Sequence, residues 1–524
     1  MGIGVHTWLF VWANEAGIAA TEMIKRNTKY ALIGIGGVVL LGVAWLFVAH
    51  QRAKGVMENV RKEHAAMGEI WEVERLVPKV DPAKSNGAQQ MIDAGALLAR
   101  WPRGMFDDAM MYAGPGRAFV FSRLENWPVE LRDGKQRWVT NVWEELPLIV
   151  DPQRTVMREM WDATTNDVIV VDLPYGASDP YSILLKHLAG IKNAFGMSKA
   201  AVIYDLHEGR FADALEHSMR ASRMLAKYES EPFIISQLVR QAALAVLAHG
   251  VWESLQYSEW SDSQLSELQT VIASIRLAEP MVPAIRMEGA MGFKAWQRGI
   301  HEPGYLGSLG SGTSLTWFST LGKLLSGKGD LDDVMGVARV TYWSVSDGYY
   351  DGAFYLNQSR SNTVAFERLV LTRSCIAAGA TGTSIPRGYI FSGMTLPALV
   401  KACERTARAE SLKSLMIMAI AIKRFELKRG RLPTESGELV SEFLTEIQID
   451  WIDGKPIRYV AGTDGVFRLW SIGTDSVDGG GVSVDTQRIP LWDHDMIWPM
   501  PATAQEVAKK RSEIEARMAT APKP

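Results

Sequence analysis

The chain has 524 residues, of which 47% are apolar and 22% charged, and its formal net charge is −3. That length suits about two to four domains with real cores, and the composition excludes both a disordered chain and a polytopic membrane protein. A near-neutral charge argues against a nucleic-acid partner, and 2 cysteines cannot build a disulfide framework, while 18 tryptophans call for large buried or membrane-facing surfaces.

Residues 1–29 form a short N-terminal segment. Tyr30 to Ala49 then reads YALIGIGGVVLLGVAWLFVA, without a charge. At about 1.5 Å per residue such a run spans the roughly 30 Å hydrocarbon core of a bilayer, so 30–49 is expected to be a transmembrane helix with the lipid bilayer as its partner. A buried core helix is the alternative, but glycines at 34, 36, 37 and 42 would weaken a helix in water. The run is longer than a signal-peptide core and lacks a small residue at Phe47, which argues against cleavage. Met23 precedes a basic stretch, Lys25-Arg26-Asn27-Thr28-Lys29, and is an alternative start to Met1. Basic residues flank both ends of the run, so charge alone sets orientation poorly.

Residues 50–175 read as a stalk and membrane-proximal region. Charges alternate on an amphipathic helix over 50–75, Pro78, Asp81-Pro82 and Ser85-Asn86-Gly87 break it, and a short helix follows at 88–100. Residues 101–155 are rich in Trp, Pro and Gly, and Val168–Asp172 reads as one strand. Residues 176–400 read as a helical domain. Ser178-Asp179-Pro180 starts a helix whose face carries Ile183, Leu184, Leu188, Ile191 and Ala194. Residues 199–232 resemble a single tetratricopeptide-type hairpin, turning at Gly209 with Ala214 and Ala221 at packing positions. No second copy follows about 34 residues later, so helix pairs in a non-repetitive domain are expected. Further helices run from Glu231-Pro232 to Val251 and, capped by Ser261, past Leu265, Leu268 and Val271. The Gly-rich stretch 301–330 reads as a surface loop or lid, since Lys323 and Lys328 lack phosphate-loop spacing. A helix is expected at 362–374.

The last region carries the clearest pattern. A helix spans about 405–429, a short helix 436–446, and IRYV (457–460) pairs with VFRLWSIG (466–473) in a hairpin. FELKRGRLP (425–433), DGKPIRYV (453–460), RLWSIGTDSVDGGG (468–481) and DHDMIW (493–498) together resemble the C-terminal globular region of type II secretion major pseudopilins. With the helical middle, the chain resembles uncharacterised single-span bacterial proteins that end in such a module, here 405–499, followed by a tail over 500–524. The resemblance implies a small α+β head and an acidic loop that binds calcium. Asp475, Asp478, Asp485, Asp493 and Asp495 are the candidate metal ligands, with Gly479-Gly480-Gly481 as the turn; a solvated acidic loop is the alternative. Ser476 stands where the family has glycine. The module begins far beyond the one apolar run and lacks a prepilin leader, which argues against polymerisation as a pilin.

Catalytic patterns are scarce. No HExxH, G-x-S-x-G or S-x-x-K occurs. His207 and His217 flank the 209 turn and read as helix-surface residues. Arg286 and Glu288 read as a structural ion pair, with Glu208 and Glu216 of similar standing. Cys375 and Cys403 are either one disulfide or two buried thiols. Residues 504–519 read as a charged, solvated terminal helix. The expected fold class is α+β, mainly helical. The expected function is a membrane-anchored extracytoplasmic scaffold or accessory subunit on the periplasmic side of the inner membrane, with other membrane or envelope proteins as partners. An envelope hydrolase or ligand-binding protein with a cleft in the helical domain is the alternative, and a secretion-system component is a third reading. Calcium is the one candidate cofactor.

Overall fold

The fold follows from how the long helices bury their apolar faces. The computed structural model describes residues 37–38, 40–99, 112–114, 116–133, 136–302, 305, 336, 339–379, 384–396, 399–462, 466–482 and 494–520. Helix makes up 64% and strand 7%, so the chain is mainly helical with a small antiparallel sheet. It divides into two units that do not follow chain order. One gathers Met1–Glu69, Trp296–Leu356 and Ile385–Met394; the other gathers Ile70–Ala295, Asn357–Ser384 and Thr395–Pro524. The boundaries drawn from sequence at 176 and 405 both fall inside the second.

In that second unit, α2 (Ala88–Leu97) pairs with α4 (Arg154–Asp162), and α3 (Val142–Val150) leans on α5. Helix α5 (His187–His207) pairs with α6 (Phe211–Lys227) through the expected turn, where Gly209 has φ +72°. Only a residue without Cβ takes that left-handed conformation at little cost. Ala214 and Ala221 are buried at the α5–α6 contact face, as expected. The α2–α4 pair stacks on the α5–α6 pair. Next come α7 (Ile234–Ser254) and α8 (Asp262–Ala273), both packed on α6. Ser261 caps α8 with a full capping box to Gln264, as its sequence implies. After α9 (Met281–His301) and α10 (Gly348–Thr372), helix α11 (Leu399–Arg429) packs against both α7 and α8. A tandem repeat would have put its next helix there, so the packing is paired but non-repetitive.

The α2–α5 crossing is unusually close. A Cβ built on Gly190 would lie 2.8 Å from the Gly95 carbonyl oxygen, inside contact distance with backbone that cannot swing away. Gly190→Ala is therefore expected to cost about 1–3 kcal/mol through forced separation of the two helices. Chemical unfolding of the full chain in detergent measures it; a loss below the error of the fit would contradict the close crossing.

The C-terminal part matches its predicted order and shares the core of the helices. Following the strands β1 (Tyr112–Gly114), β2 (Arg117–Ala118), β3 (Pro128–Asp133) and β4 (Gln136–Asn141), β5 (Arg458–Ala461), β6 (Phe467–Ser471) and β7 (Met496–Trp498) form an antiparallel sheet, with Tyr459 opposite Leu469 and Leu469 opposite Trp498. Helix α11 packs on β6 and β7. At the centre sits Asp450, with no exposed surface. It accepts from the hydroxyls of Ser411 on α11 (3.0 Å) and Ser471 on β6 (2.8 Å), and from the amides of Ile452 (3.0 Å) and Ile472 (2.8 Å). Arg458 on β5 closes the set as its ion partner. One buried carboxylate thus ties helix, loop and two strands.

Three local expectations change. Val168–Asp172 is extended but forms no ladder: Val168 alone bridges Asn86, while Ile169 and Val171 are buried in the core. The apolar run is accommodated by burial of Ile169 and Val171, without a neighbouring strand. The 436–446 helix is only a 3-10 turn, Ser436–Leu439, because Val440 turns extended and Ser441 takes φ +74°. Asp179 does cap a turn, at Pro180–Ser182, but the long helix starts at His187, and Leu184 is exposed. The tail also departs from a solvated helix. Val507 and Ile514 of α12 (Ala504–Thr520) pack against the core, and β8 (Met500–Pro501) pairs in parallel with β2 (Arg117–Ala118). Of the expected Gly-rich lid at 301–330 only residues 301, 302 and 305 are described, and the rest lies outside the described residues.

In the other unit, α1 runs over 40–66. Its second half buries Ala53, Met57 and His64 on one face, the amphipathic spacing expected of it. His50 Nδ1 lies 2.7 Å from the Val345 carbonyl and its ring meets Tyr349 edge-on. Asp351, fully buried, accepts from Trp343 Nε1 (2.8 Å) and from the amides of Phe391 (2.8 Å) and Ser392 (3.0 Å).

Candidate functional site

The acidic loop was the sequence's own candidate. Asp475 Oδ1 accepts from the Val477 amide (3.0 Å), and Oδ2 lies 3.1 Å from His494 Nδ1. Asp478 Oδ1 accepts from Trp470 Nε1 (2.9 Å) and the Gly480 amide (3.0 Å), and Oδ2 from Arg458 Nε (3.3 Å). Partial burial opposes ionisation of Asp478, but these donors outweigh it and hold its carboxyl below the usual range. Asp495 accepts from the amides of Gly479 (3.2 Å) and Gly481 (2.8 Å). Asp485 and Asp493 lie outside the described residues. Ser476 has φ +60°, so serine adopts the conformation that the family's glycine would favour.

Three of the five candidate ligands therefore spend their oxygens on protein donors, and the Arg458 guanidinium supplies positive charge to one of them. Among the described residues no group of three or more His, Cys, Asp or Glu is placed to hold a metal ion. With those donors in place, chelation with EDTA is expected to leave the melting temperature of the full chain unchanged. A fall that calcium reverses would instead support the ion-binding loop.

A second site was not anticipated as such. A cleft of about 260 Å³ opens between α4 and α6, lined by Arg154, Arg158, Arg210, Asp213, His217 and Arg220 among others. It is organised from below by Asp205 of α5, which has no exposed surface. Arg154 gives Asp205 two hydrogen bonds, at 2.7 and 3.1 Å, and a third to Asp151 at 2.8 Å. Arg210, just past the Gly209 turn, donates to Asp205 from Nε at 2.9 Å. His217 Nε2 lies 3.2 Å from Arg154 Nη1 and 3.5 Å from Asp205. Its Nδ1 is buried without a hydrogen-bond partner. Burial lowers the His217 pKa more than Asp205 raises it, so the ring is neutral at pH 7. Arg220 joins Asp162 and Glu216, both at 2.6 Å. Arg158 and Asp213 stand exposed on its wall.

The charges decide what this cleft can do. Its four arginines face Asp151, Asp162, Asp205, Asp213 and Glu216, so no net positive field gathers there to trap a phosphate. The lining has no Ser, Thr or Cys nucleophile, and the neutral imidazole is already engaged through Nε2. What remains is a set of partly exposed ion pairs that can exchange partners with another polypeptide.

Other sequence candidates resolve individually. His217 is not a surface residue, and His207 stacks on Trp143 at 3.6 Å with Nδ1 3.0 Å from the Ser122 carbonyl. Both rings turn inward because the hairpin packs on neighbours the local pattern cannot reveal. Arg286 and Glu288 do not pair, since residues two apart diverge around a helix. Arg286 bonds Glu367 at 2.5 Å, while burial pushes the Glu288 carboxyl up to about 6. Glu208 and Glu216 do form ion pairs, with Arg210 and Arg220. Asp205 and Asp450 carried no sequence signal beyond a single acidic residue within an apolar stretch. No family model, curated protein or solved structure matches the chain.

Proposed function

We propose that the chain is a membrane-anchored scaffold or accessory subunit, held by residues 30–49 in the inner membrane with its bulk on the extracytoplasmic side. One observation carries the anchoring. At the start of α1, Leu40, Leu41, Val43, Trp45, Phe47 and Val48 are all exposed, Leu40 and Leu41 by more than 70%. An apolar helix face left this exposed among the described residues is suited to lipid. Trp45 stacks on Tyr342 at 6.4 Å, an aromatic pair of the kind found at membrane interfaces. The contrast is α7, long and apolar enough to cross a membrane by composition, but with 61% of that stretch buried as a core helix.

A scaffold role is supported by the exchangeable ion pairs of the α4–α6 cleft, which favour docking over chemistry. The order α11, β5, β6, β7 supports the pseudopilin-like head as part of the same proposal. Leu41→Arg with Val43→Arg is expected to oppose insertion by about 2.5–3.5 kcal/mol for each charge near the bilayer centre. The wild-type chain should stay with membranes after alkaline carbonate extraction, and the double variant should be released. Retention of both would overturn the anchor reading. Cross-linking of the full chain in detergent, followed by mass spectrometry, tests the scaffold reading separately; no partner protein above the control level would overturn it.

A further inference from the structure

The two cysteines are far apart in sequence, and the fold brings them together. Cys375 opens the short helix Cys375–Ala378, whose start is capped by Ser374, its hydroxyl accepting from the Ala377 amide at 3.2 Å and donating to the Ile452 carbonyl at 3.4 Å. The amides of Cys375 and Ile376 donate to the carbonyls of Trp451 (2.7 Å) and Ile452 (3.0 Å), which pins this helix to the loop beside Asp450. Cys403 lies on α11, and the short helix packs against α11. The packing of the short helix on α11 makes the two side chains neighbours, each acting on the titration of the other, and both thiols are free.

The members of the pair are not equivalent. Cys403 has no exposed surface, whereas Cys375 is partly exposed. Only Cys375 can meet a reagent from solution. The neighbouring Cys403 thiol favours the thiolate of Cys375 and draws its pKa down, against the effect of burial. The same pairing, with burial, raises the Cys403 thiol. An accessible, activated thiol backed by a buried one is the arrangement of an attacking and a resolving cysteine.

We propose that Cys375 and Cys403 form a thiol–disulfide exchange site that closes to an intramolecular disulfide between the short helix and α11. The oxidant is an external disulfide, either a small one or that of an oxidised dithiol protein. The Cys375 thiolate attacks one external sulfur, forming a mixed disulfide and releasing the first external thiolate. Cys403 gives up its proton and attacks Cys375 Sγ, forming the internal bond and releasing the second. Two electrons pass to the external disulfide, which leaves as two thiols. The backbone bonds to Trp451 and Ile452 hold the start of the short helix, and with it Cys375, against α11 for the second attack. This inference does not depend on the membrane reading.

The test uses the purified full chain in detergent, reduced, then equilibrated with oxidised glutathione and quenched with an alkylating reagent. The wild type is expected to lose both alkylatable thiols, carry no glutathione and be lighter by two hydrogens. Cys403→Ala should accumulate glutathione on Cys375, and Cys375→Ala should keep an unmodified Cys403 as long as near-ultraviolet circular dichroism confirms the fold. Two alkylatable thiols persisting in the wild type would overturn the proposal without recourse to any variant. So would a stable glutathione adduct on the wild type, or intermolecular dimers as its only oxidised product.

Discussion

Replacing Asp450 by Ala is expected to destabilise the unit containing the C-terminal sheet by about 3–5 kcal/mol, the usual cost of removing one partner from a buried ion pair. The carboxylate is wholly buried and serves five donors drawn from α11, β5, β6 and its own loop. Its loss removes one of the three carboxylates around Arg458, which keeps Asp453 and Asp478, and takes the acceptor from the Ser411 hydroxyl and from the amides of Ile452 and Ile472. Burial raises the Asp450 pKa against the pull of those donors and Arg458, so the site spends much of its attraction in keeping the group charged. Asp450→Asn keeps the shape but presents an amide donor to other donors, so it should recover only part of the loss. Adding Arg458→Leu to Asp450→Ala should not recover the loss, because Arg458 also pairs with Asp453 and Asp478. Urea unfolding of the full chain, with hydrogen exchange read at β5 and β6, measures these effects. A loss below about 1 kcal/mol for Asp450→Ala would show that the hub is not limiting.

Asp205→Ala is expected to have the second-largest effect, about 2–4 kcal/mol, since it removes the shared acceptor of Arg154 and Arg210. The upper end is unlike Asp450 in one respect: both arginines are partly exposed and can turn to water, which softens the penalty. A pH signature accompanies it. The His217 pKa lies below its ordinary 6.5, chiefly through burial. For a histidine with a depressed folded pKa, the unfolded chain binds the proton more readily, so stability is complete above 6.5 and is lost as pH falls below it. Removing the Asp205 charge takes away the main attraction holding the His217 pKa up. The variant should therefore lose stability more steeply than wild type on acidification from pH 6.5. His217→Gln should flatten that acid limb in both backgrounds. Melting temperatures across pH 5 to 8 measure it, and parallel curves for the wild type and His217→Gln would remove the histidine from the explanation.

Where local pattern sufficed, residues and structure agree. Gly209 demanded a turn, Ser261 and Gln264 a capped helix start, and the alternation of 457–473 a hairpin, and each forms within a few residues of its place. The apolar run at 30–49 was legible for the same reason, as a property of consecutive residues. The candidate sites were legible only in part. Asp475, Asp478 and Asp495 could be named as an acidic loop, but that Trp470, Arg458 and two glycine amides would occupy them depends on how the strands fold back. His217 read as a surface residue because nothing near it in sequence announces α4, which supplies Arg154.

The tryptophans draw the same line. Their number called for burial or partners, and only three of them, Trp8, Trp12 and Trp45, precede residue 50. Trp252, Trp260 and Trp343 are buried with their indole donors satisfied by Pro499, Ser254 and Asp351. By itself the sequence determined the helices, the hairpin, the apolar run and the need for a large aromatic core, because each follows from side chains spaced along a few turns. Only the tertiary structure decided that α11 would pack against α7 and α8, that Asp205 and Asp450 would become buried hubs, and that the short helix opened by Cys375 would pack on α11, which carries Cys403. Those outcomes rest on contacts between segments tens to hundreds of residues apart, whose energies no local periodicity records.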